Sequence, residues 1–293
     1  MYLKGIILAA GHGTRLYPLT KALSKVILPI YDKPMMYYPM ALLMEAGITE
    51  ILLILAERDL EIYQNTFGDG SHLGIRITYM IQYKQVGIAD AFILGKDFLD
   101  GEGGCLILGD NLFYGRGMVD AIKRAKSRQI GATVFGCYVE DPHAFGVVEF
   151  DDNGKVLSLE EKPAEPKSNY AIPGLYFYDS KVCDLALTVK PSARGELEIT
   201  SLNELYLNLG ELHVEILDHD TVWMDTGNFD SLLFAAQYVE TIQKSQDIYI
   251  GCIEEVAYKM GYITKEQLIE LAKPALKTDY GKHLMRIVQG KTR

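Results

Sequence analysis

The chain has 293 residues, of which 29 are Lys or Arg and 39 are Asp or Glu, so its formal net charge is −10. This length allows one large α/β domain or two smaller ones, and it is sufficient to bury a full hydrophobic core. Nucleic acids and anionic membranes are bound through broad basic surfaces, so the acid excess and the lack of long Lys/Arg runs argue against both as partners. Small phosphorylated ligands need only a few local cations and are compatible with this charge.

The four cysteines are isolated in apolar stretches and form no C-x-x-C pair, which predicts buried, reduced thiols. The apolar run near the N-terminus, from Ile6 to Ala10, is too short for a signal-peptide core or a membrane span. We therefore expect a cytoplasmic protein.

Apolar runs of strand length alternate with helical patterns through the first half of the chain. The predicted strands are Lys4–Ala9, Glu50–Ala56, Arg76–Ile81, Cys105–Leu108 and Ala132–Tyr138. The predicted helices are Pro34–Glu45, Leu60–Phe67, Ala89–Phe98 and Met118–Ser127. This alternation predicts a mostly parallel sheet covered by helices on both faces, with ligands bound beyond the carboxyl ends of the strands.

The middle of the chain changes character. Gly146–Phe150 and Lys155–Glu161 flank an Asn-Gly pair that suits a hairpin turn, and Tyr170–Tyr178 alternates as a further strand. This block predicts a mixed-sheet insertion with its own pocket. After Gly227 the pattern becomes helical, and these helices either close the core or form subunit contacts.

The first predicted strand runs into a loop that contains Gly11, Gly13 and Arg15. Glycines let backbone N–H groups approach an anion, and an arginine offers a bidentate cation to phosphate oxygens. A dinucleotide fingerprint would need a third glycine where Leu16 stands, and a P-loop would need Gly-Lys-Ser/Thr. With Lys25 as a second cation, the loop favours a triphosphate bound without a Walker motif and argues against a dehydrogenase.

Two carboxylates follow strand-like segments. Asp110 comes after Cys105–Leu108, and Asp225 comes after Val222–Met224. If both strands end at the ligand edge of the sheet, the two carboxylates lie near each other. Two carboxylates, phosphate oxygens and water molecules together make the octahedral oxygen site that Mg²⁺ prefers.

Several motifs, in order over nearly the whole chain, carry a family resemblance. They are Leu8–Thr20, Ser24–Pro34, Pro34–Pro39, Leu108–Asn111, Gly146–Phe150, Glu160–Pro163, Pro191–Thr200 and Asp225–Gly227. Together they resemble the sugar-nucleotidylyltransferase superfamily and, within it, the bacterial glucose-1-phosphate thymidylyltransferases.

The resemblance implies a Rossmann-like, three-layer α/β/α nucleotidyltransferase core with a mostly parallel mixed sheet, a sugar-binding β insertion and C-terminal helices. The core would cover residues 1–227, with a nucleotide-binding part at about 1–140 and a sugar-binding part at about 141–227. Residues 228–293 would form a helical region that makes packing or oligomer contacts.

The implied reaction transfers a thymidylyl group from dTTP to α-D-glucose 1-phosphate and gives dTDP-glucose and pyrophosphate, as the first step toward dTDP-deoxysugars such as dTDP-rhamnose. The sugar phosphate is already an anion, so the protein mainly aligns the reactants and stabilises charge. The resemblance also implies a homotetramer and feedback inhibition by a dTDP-sugar at a separate site. The implied catalytic residues are Arg15, Lys25, Lys162, Asp110 and Asp225, of which Asp110 and Asp225 would hold Mg²⁺.

The resemblance also implies which residues bind each substrate. Those for the nucleotide are Leu8, Ala10, Gly11, Gly13, Thr14, Arg15, Gln82, Gly87 and Asp110. Those for the sugar phosphate are Asn111, Gly146, Glu161, Lys162, Ile172, Arg194 and Trp223. The Gln82 amide offers a donor and an acceptor to a pyrimidine edge, but uracil presents the same edge as thymine. UTP or another hexose 1-phosphate therefore stays an alternative substrate.

A few positions depart from the family pattern. Val26 and Asp90 stand where glutamine is usual, Phe145 replaces a tyrosine, and Ile172-Pro173 replaces Val-Thr. Phe145 costs a hydroxyl and Pro173 a backbone donor, so these departures leave the sugar preference open. A catalytically silent regulatory subunit is a remote alternative, because such a subunit would be expected to lose catalytic cations or carboxylates, and all are present.

Overall fold

The computed structural model describes residues 3–291. Its strands are β1 (Leu3–Leu8), β2 (Pro29–Ile30), β3 (Lys33–Pro34), β4 (Glu50–Leu55), β5 (Arg76–Ile81), β6 (Gly103–Leu108), β7 (Asn111–Tyr114), β8 (Ala132–Tyr138), β9 (Gly146–Phe150), β10 (Val156–Glu161), β11 (Tyr170–Ile172), β12 (Leu175–Tyr178), β13 (Leu212–Ile216) and β14 (Val222–Asp225). Its α-helices are α1 (Leu19–Ala22), α2 (Tyr37–Glu45), α3 (Leu60–Phe67), α4 (Asp90–Leu94), α5 (Lys96–Leu99), α6 (Met118–Ser127), α7 (Val182–Ala186), α8 (Ile199–Asn208), α9 (Phe229–Gln246), α10 (Ile253–Lys259), α11 (Lys265–Ala272) and α12 (Asp279–Val288).

Ten of these strands form one central sheet in the order β10-β9-β11-β8-β12-β6-β1-β4-β5, with β13 also paired to β8. The strands β6, β1, β4 and β5 are parallel, so their carboxyl ends meet at one edge. Strand β12 runs antiparallel to β6 and opens the insertion half of the sheet, in which β8, β9, β10 and β11 pair antiparallel. The sheet is therefore mixed, as expected, and its parallel strands form the half that contains the glycine loop.

Successive residues of the buried strands point to opposite faces of the sheet, as strand geometry requires. In β1, Ile6 packs into a core shared with α4, α5, α7 and α8, whereas Ile7 packs into a core shared with α2, α3, α6 and the C-terminal helices. Both side chains are fully buried. Two separate cores on the two faces confirm the three-layer α/β/α prediction.

The structure corrects two helix boundaries. The predicted helix Pro34–Glu45 begins only at Tyr37, because Lys33–Pro34 pairs with Pro29–Ile30 as a short strand. The predicted helix Ala89–Phe98 is two short helices separated by Gly95. A Cβ at Gly95 would lie 3.0 Å from Ile6 Cδ1, so only glycine lets the chain pass this close to the sheet.

The predicted strand Tyr170–Tyr178 is also interrupted. Ala171 pairs with Cys137, but Tyr176 pairs with Val134, so two extra residues bulge out between β11 and β12. The bulge is Pro173-Gly174, which the strand pattern did not indicate. It turns a backbone N–H toward the carboxyl end of β6, where it becomes part of the site described below.

The C-terminal helices pack on the core that contains Ile7. The longest of them, α9, begins with a capping box. The Asn228 side chain accepts a hydrogen bond from Ser231 N at 2.9 Å, and Ser231 Oγ accepts one from Asn228 N at 3.2 Å. Three of the four cysteines, Cys105, Cys183 and Cys252, are buried as expected, whereas Cys137 is half-buried.

Within residues 3–291, no helix is long and apolar enough to cross a membrane.

Candidate active site

The loop after β1 lines a cavity of about 280 Å³ at the carboxyl ends of β1 and β6. We call it the glycine-loop cavity, and its lining is Leu8, Ala9, Gly11, Gly13, Thr14, Arg15, Lys25, Val26, Leu108, Asp110 and Gly227. Gly13 has a φ of +61°, and a Cβ there would lie 2.9 Å from Lys25 Cβ. Glycine therefore permits both the left-handed turn and the close approach of Lys25 to the loop.

Two carboxylates meet at the edge of this cavity. Asp110 follows β6, and Asp225 ends β14, which pairs with β7 so that Asp225 faces Asn111. Lys25 Nζ forms an ion pair with Asp110 Oδ2, and Asn111 Nδ2 donates to Asp110 Oδ1 at 3.0 Å. Thr226 holds the Asp110 backbone, since its Oγ1 donates to the Asp110 carbonyl at 2.8 Å. Residues far apart in sequence thus place both acids together, as the strand pattern predicted.

Asp225 has the environment of a cation ligand. Its Oδ1 is buried and has no hydrogen-bond partner among residues 3–291. Burial raises the pKa of Asp225 and the charge of Asp110 raises it further, while Lys25 and Arg15 partly lower it. An unpaired buried oxygen beside a second carboxylate suits a hard divalent cation, which would satisfy this oxygen and relieve the repulsion between the two acids.

A second cavity, of about 460 Å³, adjoins the first and shares Arg15, Leu108 and Gly227 with it. We call it the insertion cavity. Its lining includes the predicted residues Asn111, Gly146, Glu161, Lys162, Ile172, Trp223 and Asp225. A Cβ at Gly227 would lie 2.6 Å from Arg15 Nη2 and 2.9 Å from Asp225 Oδ1, so glycine allows these two charged groups to approach at the junction of the cavities.

Asn111 organises the floor of the insertion cavity. Its Oδ1 accepts hydrogen bonds from Gly174 N at 2.9 Å and from Trp223 Nε1 at 2.6 Å. The Trp223 ring in turn packs edge-on against Phe145, with centroids 4.9 Å apart. The bulge at Pro173-Gly174 therefore supplies the donor that fixes the amide of Asn111, and with it the position of the indole.

One wall of the insertion cavity is a network around Glu161. Glu161 Oε2 accepts from Thr200 Oγ1 at 2.5 Å, and Glu161 Oε1 lies 3.3 Å from Arg194 Nη2. Arg194 does not line the cavity, and its Nη2 also donates to Glu198 Oε1 at 2.9 Å. Lys162 follows β10 at a φ of +46°, a strained value for a lysine, and its N–H donates to the Phe145 carbonyl at 3.0 Å. This conformation places Lys162 at the end of the strand, beside Glu161 and at the cavity.

Three predicted nucleotide residues do not line the glycine-loop cavity: Ala10, Gln82 and Gly87. Gln82 follows β5 at the same edge of the sheet, and the Gln85 side chain ties this segment to the Ala10 carbonyl. Gly87 has a φ of +118°, and a Cβ there would lie 2.4 Å from the Leu197 carbonyl oxygen. The segment after β5 is thus held against the loop that carries the glycines.

The structure also adds residues that the sequence reasoning did not single out. The insertion cavity is further lined by Ile88, Tyr176, Thr200, Asn203, Asn228 and Ser231. Thr200 and Asn203 come from α8, one turn apart, so their placement depends on packing of that helix against the sheet. Asn228 could have been found from sequence, because Asn-x-x-Ser before an apolar run is a helix-capping signal.

Comparison with known proteins agrees with this arrangement. The sequence profile of the nucleotidyl transferase family matches residues 4–242. A glucose-1-phosphate thymidylyltransferase from Xanthomonas campestris pv. campestris is 52% identical over 286 residues, which cover 98% of this chain and 97% of that protein. One from Mycobacterium tuberculosis is 50% identical over 287 residues, which cover 98% and 99%.

The chain belongs to the glucose-1-phosphate thymidylyltransferase family. Among solved structures, a proposed glucose-1-phosphate thymidylyltransferase from Bacillus anthracis in complex with a sucrose matches with a TM-score of 0.75 and 40% identity, over 80% of this chain and 94% of that one. A UDP-glucose pyrophosphorylase complexed with UDP-glucose has a TM-score of 0.70 at 24% identity, which shows the shared fold. Membership of this family confirms a nucleotidyltransferase and leaves no support for a dehydrogenase.

Proposed function

We propose that this enzyme transfers the thymidylyl group of dTTP to α-D-glucose 1-phosphate, releasing pyrophosphate and forming dTDP-glucose for deoxysugar synthesis. The observation that carries this proposal is the junction of two cavities at Arg15, with Asp110 and Asp225 beside it. One cavity has the glycine loop and cations that suit a triphosphate, and the other has the polar side chains that suit a sugar. The relatives at about 50% identity support the same reaction.

In the glycine-loop cavity, backbone N–H groups between Gly11 and Thr14 would bind the triphosphate together with Arg15 and Lys25. Arg15 is exposed and lines both cavities, so its guanidinium can stabilise charge on the departing pyrophosphate. Lys25 now pairs with Asp110, and it gains a second anionic partner when phosphates enter. The protein supplies alignment and charge stabilisation, because the sugar phosphate oxygen is an adequate nucleophile.

Asp110 and Asp225 would hold the Mg²⁺ ion. The unpaired Oδ1 of Asp225 and the adjacent Asp110 carboxylate fit an oxygen-ligated divalent cation. The ion would supply charge neutralisation at the phosphate oxygens. Asn111 and Thr226 keep the Asp110 carboxylate and backbone in place through their hydrogen bonds.

In the insertion cavity, Glu161 would accept hydrogen bonds from sugar hydroxyls, and Lys162 and Arg194 would bind the sugar phosphate. Arg194 is paired with Glu198 and with Glu161, which lines the cavity, so its guanidinium would turn from these carboxylates toward the phosphate. Gly146, with no side chain, leaves room for the sugar ring beside Ile172. Trp223 also lines this cavity and is held by its hydrogen bond to Asn111.

A panel of nucleotides tests this proposal. The purified protein is incubated with Mg²⁺, glucose 1-phosphate and each of dTTP, UTP, CTP, ATP and GTP, and pyrophosphate release is measured. The fastest release is expected with dTTP. Fastest release with UTP would favour the alternative nucleotide, and no release with any nucleotide would support a catalytically silent subunit.

The C-terminal helices are the proposed contact surface of a homotetramer. On α9, Phe229, Leu233 and Phe234 are 46%, 59% and 57% exposed, a large apolar surface for one helix. Mass measurement in solution, with Leu233→Ser as the variant, checks this assembly. Feedback inhibition by a dTDP-sugar stays a prediction.

A further inference from the structure

Gln82 is one of the few buried polar side chains at the ligand edge of the sheet, and its contacts are specific. It follows β5, its backbone N–H donates to the Leu55 carbonyl at 2.8 Å, and the residue is only 7% exposed. Its Nε2 donates to Asp90 Oδ2 at 2.8 Å. Asp90 is the first residue of α4.

A carboxylate can only accept hydrogen bonds, so this contact determines how the Gln82 amide is turned. Nε2 must face Asp90, and Oε1 must face the other way. Oε1 has no hydrogen-bond partner among residues 3–291 and is not among the polar atoms sealed from solvent. The amide therefore presents a free acceptor, and its second N–H, away from Asp90.

The orientation of the Gln82 amide matters because two classes of pyrimidine present opposite hydrogen-bonding patterns. Thymine and uracil offer an N3–H donor beside a carbonyl acceptor, whereas cytosine offers an N3 acceptor beside an amino donor. A freely rotating glutamine amide can match either pattern by a half turn. Gln82 lies at the carboxyl edge of the sheet, where ligands bind, so the base would meet its free Oε1. An Oε1 held in that position matches the N3–H of thymine and opposes the N3 lone pair of cytosine.

We propose that Asp90 is a specificity-determining residue, which holds the Gln82 amide in the orientation that accepts a keto pyrimidine and rejects cytosine. The inference rests on the proposed function and extends it, because it assigns the choice between thymine and cytosine to a residue that does not itself contact the base. Asp90 is thus a positioning residue. It leaves the choice between thymine and uracil open, since both present the same edge.

Asp90→Asn is the matched test, because asparagine has the same shape but offers a donor as well as an acceptor. We measure kcat/KM for dTTP, UTP and dCTP with saturating glucose 1-phosphate. The ratio of kcat/KM for dTTP to kcat/KM for dCTP is expected to fall about tenfold or more. This is the usual effect when a buried polar group no longer rejects the wrong partner. The ratio of dTTP to UTP should stay unchanged, which a general distortion of the site would not guarantee.

Asp90→Glu keeps an acceptor-only group and should retain most of the discrimination against dCTP. Asp97→Asn, on the exposed side of α5, removes the same charge without touching Gln82 and should match the wild type. If the Asp90→Asn protein does not fold, Asp90→Ala releases the amide in the same way and replaces it in the comparison.

An unchanged ratio of dTTP to dCTP in both Asp90→Asn and Asp90→Ala would overturn the inference. An equal loss of kcat with all three nucleotides would overturn it as well, because it would indicate a structural role only. Wild-type protein that turns over no pyrimidine nucleotide would instead overturn the proposed function, and the inference with it.

Discussion

The two cavities of this protein are built in different ways. The glycine-loop cavity takes six of its eleven lining residues from one continuous segment, from the last residue of β1, Leu8, to Arg15. The insertion cavity joins residues that are far apart in the chain, such as Asn111 with Gly174 and with Trp223, which lie 63 and 112 positions away. The first cavity depends on backbone conformation, and the second on side chains that hold one another.

This difference suggests how each substrate is handled. A triphosphate can be bound by flexible cations and backbone N–H groups, because its charge is large and its shape is simple. A sugar needs several hydrogen-bonding groups at fixed positions, which the Asn111 and Glu161 networks supply. Substitutions at the junction of the cavities should therefore alter the kinetic constants for both substrates. Substitutions within the network of one cavity should alter the constants for one substrate only.

The largest effect is expected for Asp225→Asn, at the junction of the cavities. Loss of a metal-binding carboxylate should lower kcat about 10³-fold, because a bound cation contributes several kcal/mol of charge stabilisation. Pyrophosphate release measured over a range of Mg²⁺ concentrations checks this, with the exposed Asp152→Asn as control. Near-normal rates in Asp225→Asn would mean that the metal site lies elsewhere.

Arg15→Lys should have the next largest effect. Lysine keeps the charge but loses the planar pair of donors, so kcat/KM for both substrates is expected to fall by about 10². Steady-state kinetics with each substrate varied in turn measures this. A change confined to one substrate would contradict the position of Arg15 between the two cavities.

Glu161→Gln is expected to separate the cavities. The amide is a weaker acceptor than the carboxylate, so KM for glucose 1-phosphate should rise about tenfold, which is the scale of one hydrogen bond to a charged group. KM for dTTP should stay within about twofold, because Glu161 lies only in the insertion cavity. An equal rise in both KM values would show that the two networks are coupled.

The smallest effect concerns stability without ligands. Because burial and Asp110 raise the pKa of Asp225 in the folded protein, its ionised form destabilises the fold, and this cost accumulates as pH rises from the ordinary pKa of an aspartate to the raised one. Asp225→Asn should therefore unfold at a slightly higher temperature than the wild type in metal-free buffer, with a larger difference at pH 7.5 than at pH 4. Thermal unfolding of both proteins at the two pH values measures this, and a lower Tm in the variant at pH 7.5 would contradict it.

The sequence predicted the parallel half of the fold well, because strands such as Glu50–Leu55 are continuous apolar runs and the glycine loop is a local motif. It missed the bulge at Pro173-Gly174, although this dipeptide is a turn signal, because the residues on both sides of it have strand character. The pairing with β8 shows the shift of two residues. It also missed Thr200 and Asn203, whose role depends on how α8 packs. Asp90 was visible only as a departure from a pattern until its contact with Gln82 was known.

The most direct test of the account follows the oxygen atoms of the reaction. Glucose 1-phosphate labelled with ¹⁸O at its nonbridging phosphate oxygens is incubated with dTTP, Mg²⁺ and the enzyme, and the products are examined by ³¹P NMR and mass spectrometry. Attack of the sugar phosphate on the α-phosphorus predicts that all of the label stays in dTDP-glucose and none enters pyrophosphate. Label in pyrophosphate, or a product other than dTDP-glucose, would contradict the proposed reaction.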